Sequence, residues 1–229
     1  MTGREHQRIP YAVQVQFRTA SSFLVAYSVN LSRGGLFIET EELLDTGTEV
    51  SLQFAVPGTG PILARGRVAW ARQLLDQNGP PGIGVEFDDI VNTIGPIIDR
   101  LVADFSGVNV LLMSADDRNR KTLSRLIRSI ISTAEVVGAT DASVAENILD
   151  SEIDLVIIDL DGPSDEALST LVTAHSMGIP TVALGSESAA RDRAREAGAV
   201  EVASNPPPSA EFQRILVSAL GKPATVRRT

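Results

Sequence analysis

Apolar and polar positions alternate over short runs in the first part of the chain. Tyr11–Phe17, Glu49–Phe54 and Ile62–Trp70 alternate, and Gly35–Glu39 and Gly82–Phe87 are further short runs of the same kind. A period of two is what half-buried strands require. Turn residues punctuate the runs, at Asp45-Thr46-Gly47, Pro57–Pro61 and Gly79–Gly82. The run before Asn30 also reads as a strand, which puts Asn30–Gly35 between the end of one strand and the start of the next. Strands this short and this closely spaced predict an all-β, antiparallel barrel. Over residues 91–105 the rhythm changes. Ile94, Ile97, Ile98, Leu101, Val102 and Phe105 fall on one helical face, which predicts a helix that closes one end of its own barrel or, less readily, pairs with a partner helix.

From Asn109 onward strand and helix patterns alternate. Asn109–Met113, Ala134–Gly138, Asp154–Ile158, Thr181–Leu184 and Val200–Ala203 read as strands. Residues 122–131, 141–149, 187–197 and 209–220 have helical spacing, with Asp141 placed to cap the second of these helices. Leu155–Ile158 is apolar throughout, as suits a strand covered on both faces. Parallel strands need crossover helices, so this half predicts an α/β doubly wound parallel sheet. The expected organisation is therefore two domains: a barrel with a closing helix over 1–105, an α/β unit over 108–221, and a flexible tail at 222–229.

Composition narrows the chemistry. The chain has 229 residues, no cysteine and two histidines, His6 and His175, so disulfides are excluded and a zinc site is not expected. The net charge is −9, and residues 1–105 hold 8 basic and 12 acidic groups, so neither half has the basic balance of a nucleic-acid polymer binder. A small anionic ligand needs only two or three placed arginines. There is no run of eighteen apolar residues and no secretory signal, so no membrane span and a cytoplasmic location are expected. No Ser-His-Asp grouping, P-loop or dinucleotide fingerprint occurs, and no enzyme activity is expected. His175 precedes Gly178 at the end of a helix, which suits a C-terminal cap.

Two motifs carry a resemblance. Arg4 and Arg8 form an RxxxR element, and Asn30, Ser32 and Gly35 form an [D/N]xSxxG element about twenty residues later. With the Gly82–Phe87 strand, this order resembles the PilZ family of cyclic di-GMP receptors over roughly residues 3–105. The resemblance implies that Arg4, Arg8, Asn30, Ser32 and Gly35 bind cyclic di-GMP. The chemistry agrees: an arginine fork matches guanine O6 and N7 or a phosphate, and can stack on a base. Ser32 offers a hydroxyl to a base edge, and Gly35 removes a side chain that would block the base and can take positive φ. Asn30 stands where many members have Asp, and its amide has one accepting oxygen where a carboxylate has two. Arg33, Arg67 and Arg72 lie near enough in sequence to approach the ligand, and Trp70 is expected in the core or at the barrel rim.

The second half resembles a response-regulator receiver, with the flavodoxin-like strand order 2-1-3-4-5. Asp159, ending the third strand, matches the phosphoacceptor. The rest of the receiver set is altered: Ser114 and Ala115 fall where the metal-binding acidic pair belongs, Gly185 where a hydroxyl residue belongs, and Asn205 where Lys is usual. Asp116 and Asp117 then lie in the loop, where they can cap or start the helix. One carboxylate is a poor site for Mg²⁺, and without Mg²⁺ or Lys little offsets phosphoryl charge, so neither a metal nor phosphorylation is expected at Asp159. The combined resemblance implies a bacterial signalling adaptor that binds cyclic di-GMP and passes the change to a protein partner. Its rivals are a ligand-independent interaction scaffold and a phosphorylation-controlled response regulator with a PilZ output. Receivers often pair through one helical face, which admits a homodimer.

Overall fold

A computed structural model describes residues 11–29, 35–73, 81–222 and 225–228. In chain order its elements begin β1 (Tyr11–Gln16), α1 (Ala20–Val29), β2 (Gly35–Glu39), β3 (Glu49–Ala55), β4 (Ile62–Arg72), β5 (Gly82–Phe87) and α2 (Ile90–Ala103). They continue β6 (Val108–Met113), α3 (Asp117–Ile130), β7 (Ala134–Ala139), α4 (Ala142–Ile148), β8 (Leu155–Asp159) and α5 (Ser164–Ser176). The last are β9 (Thr181–Leu184), α6 (Ser188–Glu196), β10 (Glu201–Ala203), α7 (Ser209–Leu220) and β11 (Thr225–Arg228). The chain divides into two compact units. A β unit takes Met1–Phe17, Tyr27–Leu101 and Pro223–Thr229, and an α/β unit takes Arg18–Ala26 and Val102–Lys222.

The β unit is one six-stranded sheet in the order β11-β1-β3-β4-β5-β2. Its core face is built by alternation. Val13 and Val15, Leu36 and Ile38, Val50, Leu52 and Phe54, and Ile83, Val85 and Phe87 are all buried. Phe54 meets Phe17 and Phe87 in tilted pairs with centroids 6.4 and 6.1 Å apart. Most pairs are antiparallel, as the strand pattern predicts, but β1 and β3 run parallel with Tyr11 opposite Val50. Parallel neighbours need a long crossover, and α1 with β2 supplies it. Ile94 and Leu101 of α2 are buried, whereas Val102 is 57% exposed, so the predicted apolar stripe stops at Leu101.

Two further expectations are corrected. The run before Asn30 is the helix α1 rather than a strand. A short apolar run is ambiguous by periodicity, and here the cap decides: the Ser22 N–H donates to Thr19 Oγ1 at 3.1 Å and the Thr19 N–H to Ser22 Oγ at 3.3 Å. This reciprocal bonding satisfies donors a helix start leaves open. Residues 225–228, expected in a flexible tail, form β11 instead. That strand pairs antiparallel with β1, Val13 opposite Arg228 and Gln16 opposite Thr225, because the edge of β1 offers a row of backbone partners.

The α/β unit has a five-stranded parallel sheet in the order β10-β9-β8-β6-β7, which is the predicted 2-1-3-4-5 order. One core layer joins Val110, Leu112, Leu155 and Ile157 to Leu123 and Ile127 of α3 and to Phe212, Ile215 and Leu216 of α7. The other joins Leu111, Val156 and Ile158 to Ala145 of α4, Leu171 of α5 and Ala194 of α6. Asp141 caps α4 as expected, and the N–H groups it accepts from, Val144 first, hold its carboxyl below the usual range. Asp116 caps α3 through the Asn119 N–H at 2.8 Å. At the end of α5, Gly178 takes φ 70° and its N–H donates to the His175 carbonyl at 2.9 Å.

The segment Arg18–Ala26 belongs to this unit, not to the barrel half in which sequence order puts it. Thr19 Oγ1 donates to Asp154 Oδ1 at 2.6 Å, and the Asn109 N–H donates to Asp154 Oδ2 at 2.9 Å. The Arg18 guanidinium donates to the carbonyls of Ser151 and Ile153. Burial pushes that guanidinium below its ordinary value, against the opposing pull of Asp154. Asp154 is only 4% exposed, so its acceptors need these donors. Thr19→Val is therefore expected to destabilise the α/β unit by about 1–3 kcal/mol. Urea denaturation checks it, and a change within error would remove Thr19 from the fold of that unit.

Candidate functional sites

Of the ligand-binding residues inferred from sequence, Arg4, Arg8, Asn30 and Ser32 lie outside the described residues, as do His6 and Arg33. Gly35 is described, as the first residue of β2 opposite Glu86 of β5. It does not use positive φ; among the described residues the glycines that do are Gly47, Gly58, Gly107, Gly178 and Gly198. The close approach is instead to backbone, since a Cβ on Gly35 would stand 3.0 Å from the Val85 carbonyl oxygen.

On the same strand, two residues on and therefore on the same face, lies Phe37. Its ring stacks on Trp70 with centroids 5.2 Å apart and planes 9° from parallel. The Arg72 guanidinium sits 4.6 Å from the Phe37 centroid and 5.5 Å from that of Trp70. Phe37, Gly84 and Trp70 form one row across β2, β5 and β4. Glycine makes the row possible: a Cβ on Gly84 would fall 2.3 Å from the indole, and one on Gly82 would fall 2.5 Å from the Phe37 ring. Trp70 is 45% exposed, so of the two places expected for it, core or barrel rim, the core is excluded. A β-bulge between Val68 and Trp70 adds one residue to β4 and turns the indole outward. Arg67 is exposed and pairs loosely with Glu49 at 3.8 Å.

In the α/β unit, Asp159 ends β8 and is 7% exposed. Its Oδ2 accepts from Ser114 Oγ and from Asn119 Nδ2, each at 2.7 Å. Its Oδ1 accepts from Asn205 Nδ2 at 2.9 Å and from the Asp161 N–H at 3.0 Å. Asn205 Nδ2 also reaches Asp161 Oδ2 at 3.0 Å. Asp161 Oδ1 in turn accepts from the Ser186 N–H and hydroxyl, both at 2.8 Å. Every donor to Asp159 is neutral, and among the described residues no lysine or arginine forms an ion pair with it.

The loop acids are turned elsewhere. Asp116 caps α3, and Asp117 pairs with Arg120 at 2.9 Å and Lys121 at 2.7 Å. Ser114 and Asn205 both donate to Asp159. A hard cation wants several anionic oxygens, and here Asp159 already accepts four hydrogen bonds and Asp161, beside it through Asn205, accepts three. These residues do not fit a Mg²⁺ site, and among the described residues no cluster of three or more His, Asp or Glu could hold a metal. Ser114 and Asn119 as donors to Asp159 were not foreseen; their sequence signal is only position, one after β6 and one in the first turn of α3.

The family model described as PilZ domain matches residues 2–104. No curated protein matches the chain. Among solved structures, the chain is similar to the receiver domain of a sensor histidine kinase from Pseudomonas aeruginosa, crystallised with magnesium in its active-site cleft. The identity is 22%, the match covers 51% of this chain and 99% of that one, and the TM-score is 0.45. A signal receiver domain from Colwellia psychrerythraea matches at 16% identity over 50% of this chain and 99% of its own, TM-score 0.45. A chemotaxis protein from Vibrio cholerae matches at 16% over 49% and 98%, TM-score 0.43. The receiver-like fold of the α/β unit stands on its own strand order and crossovers. Among the described residues no helix is long and apolar enough to cross a membrane.

Proposed function

We propose that this protein is a non-enzymatic cytoplasmic signalling adaptor whose PilZ domain binds cyclic di-GMP and whose receiver-like unit engages a protein partner. The carrying observation is the PilZ match over residues 2–104, which holds the RxxxR and [D/N]xSxxG elements in order. Arg4 and Arg8 clasp phosphate or guanine, and Asn30 and Ser32 meet base edges. Gly35 keeps the floor open, two residues from the Phe37–Trp70–Arg72 stack. An exposed indole with a guanidinium over it suits a purine ring, by stacking and cation–π attraction.

The neutral hydrogen-bond set around Asp159 favours an unphosphorylated interaction module over a working receiver, because nothing there offsets phosphoryl charge. Ligand binding acts on the partner only through contacts that differ between the free and bound states. Calorimetric titration of cyclic di-GMP tests the reading. Micromolar affinity, about −8 kcal/mol, is expected for the wild type, with at least a tenfold loss in Arg8→Ala. No binding by folded wild type would leave the interaction scaffold as the function.

A further inference from the structure

We propose that the groove between α3 and β7 is a second ligand site, one that takes a small organophosphate of about mononucleotide size. The helix α3 carries Arg118, Arg120, Lys121, Arg125 and Arg128 against a single acid, Asp117, in a chain whose net charge is −9. All of these basic residues except Arg118 line a cavity of about 280 Å³, with Asp117 and Ser124 beside them. Positions 117, 120, 121, 124, 125 and 128 recur at three and four residues, so they form one stripe along the helix. From Arg120 to Arg128 the stripe runs roughly 12 Å at 1.5 Å per residue.

An ordinary solvated helix face interleaves both signs. Here the one acid is shared by Arg120 and Lys121, and among the described residues Arg125 and Arg128 have no carboxylate partner.

Two of the cations are held in place. Arg120 is 18% exposed at its side chain and donates to the Ser114 carbonyl at 2.6 Å, and Arg128 donates to the Val136 carbonyl at 3.2 Å. The floor is apolar: Leu112, Val136 and Gly138. Gly138 lets the Arg120 side chain lie against β7, since a Cβ there would stand 3.0 Å from the Arg120 Cδ. Preset guanidinium forks match phosphate oxygens in pairs, and an apolar floor beside them receives a ring. The volume lies near the lower end for small-molecule sites. Arg120 also bonds the backbone of Ser114, whose hydroxyl donates to Asp159, so an occupied groove would bear on the pseudo-receiver centre.

The test is a titration of the ¹⁵N-labelled full chain with ADP and, separately, inorganic pyrophosphate. Both are repeated on Arg8→Ala so that the PilZ site is not the reporter. Saturable shifts confined to amides of residues 120–128 and 136–138 are expected, with submillimolar affinity. The double variant Arg125→Glu/Arg128→Glu should weaken binding at least tenfold while leaving the β8 and α5 amides in place. Gly138→Val, which crowds the floor and pushes on the Arg120 side chain, should weaken ADP and pyrophosphate alike. Tighter binding of ADP assigns part of the affinity to the ring; equal binding assigns it to phosphate alone, as a free phosphate site. Shifts that never saturate, or saturable binding indifferent to the charge reversal, would overturn the proposal.

Discussion

Asp159→Ala is expected to destabilise the α/β unit by about 2–3 kcal/mol, the cost of leaving buried donors without their acceptor. The carboxylate takes hydrogen bonds from Ser114, Asn119, Asn205 and the Asp161 N–H. Asn205 keeps Asp161 after the change, and the Ser114 hydroxyl keeps only a 3.3 Å contact to the Asp116 carbonyl. Asn119 Nδ2 keeps only the 3.5 Å approach to Asn205 Oδ1. The sign is diagnostic. Where several carboxylates crowd around a metal position, like charges oppose one another, and removing one relieves repulsion. Here the neighbouring Asp161 shares the Asn205 amide with Asp159 and is also held by Ser186, so removing Asp159 chiefly subtracts hydrogen bonds. Asp159→Asn should also destabilise, because its amide nitrogen would face the amide donors of Asn119 or Asn205. Urea midpoints of the two variants measure the effect, and a stabilised Asp159→Ala would show that the site is a strained carboxylate cluster after all. In the same preparation, acetyl phosphate with Mg²⁺ should leave wild-type Asp159 without a stable adduct by mass spectrometry.

Phe212→Ala should cost the α/β unit about 3–5 kcal/mol, the range for emptying a buried aromatic site. Phe212 is fully buried in the first turn of α7, in the layer that also holds Leu112, Leu155, Val182 and Ile215. Its neighbours sit on a sheet whose strands are covered on both faces, so the void cannot collapse freely. A stability loss this large is a substantial share of the stability of an ordinary domain. The denaturation midpoint should fall with little change in slope. Val172→Ala on α5 is the control: that side chain is 53% exposed, and the change should stay within about half a kcal/mol. Comparable losses at both positions would contradict the core assignment.

The α/β unit was largely legible because most of its strand runs and helix periods declare themselves, although α5 (Ser164–Ser176) was marked only at its end by His175 and Gly178. Asp159 was legible because the end of a buried strand in such a sheet is where ligands and acceptors sit. Its donors were not, because Ser114 and Asn205 lie 45 and 46 residues away and meet it only through the strand order. The β unit was legible by alternation until the bulge in β4. A strict period of two puts Trp70 inward with Val68, and one inserted residue reverses that. α1 was misread because Ala20–Val29 lacks both alternation and a polar stripe; the Thr19/Ser22 cap was the available signal. β11 has four residues, two of them arginine, and takes its conformation from the edge of β1. No local preference could announce it.

The order of segments in the β unit has a consequence for synthesis. β11, which covers the edge of β1, follows the whole stretch Val102–Lys222 in the chain. While a ribosome adds that stretch, at about 5–20 residues per second, β1 has no partner on its outer side. For something like ten seconds the nascent protein carries an open strand edge of the kind that templates aggregation. The six-stranded sheet of the β unit can therefore be completed only after the α/β unit has been translated.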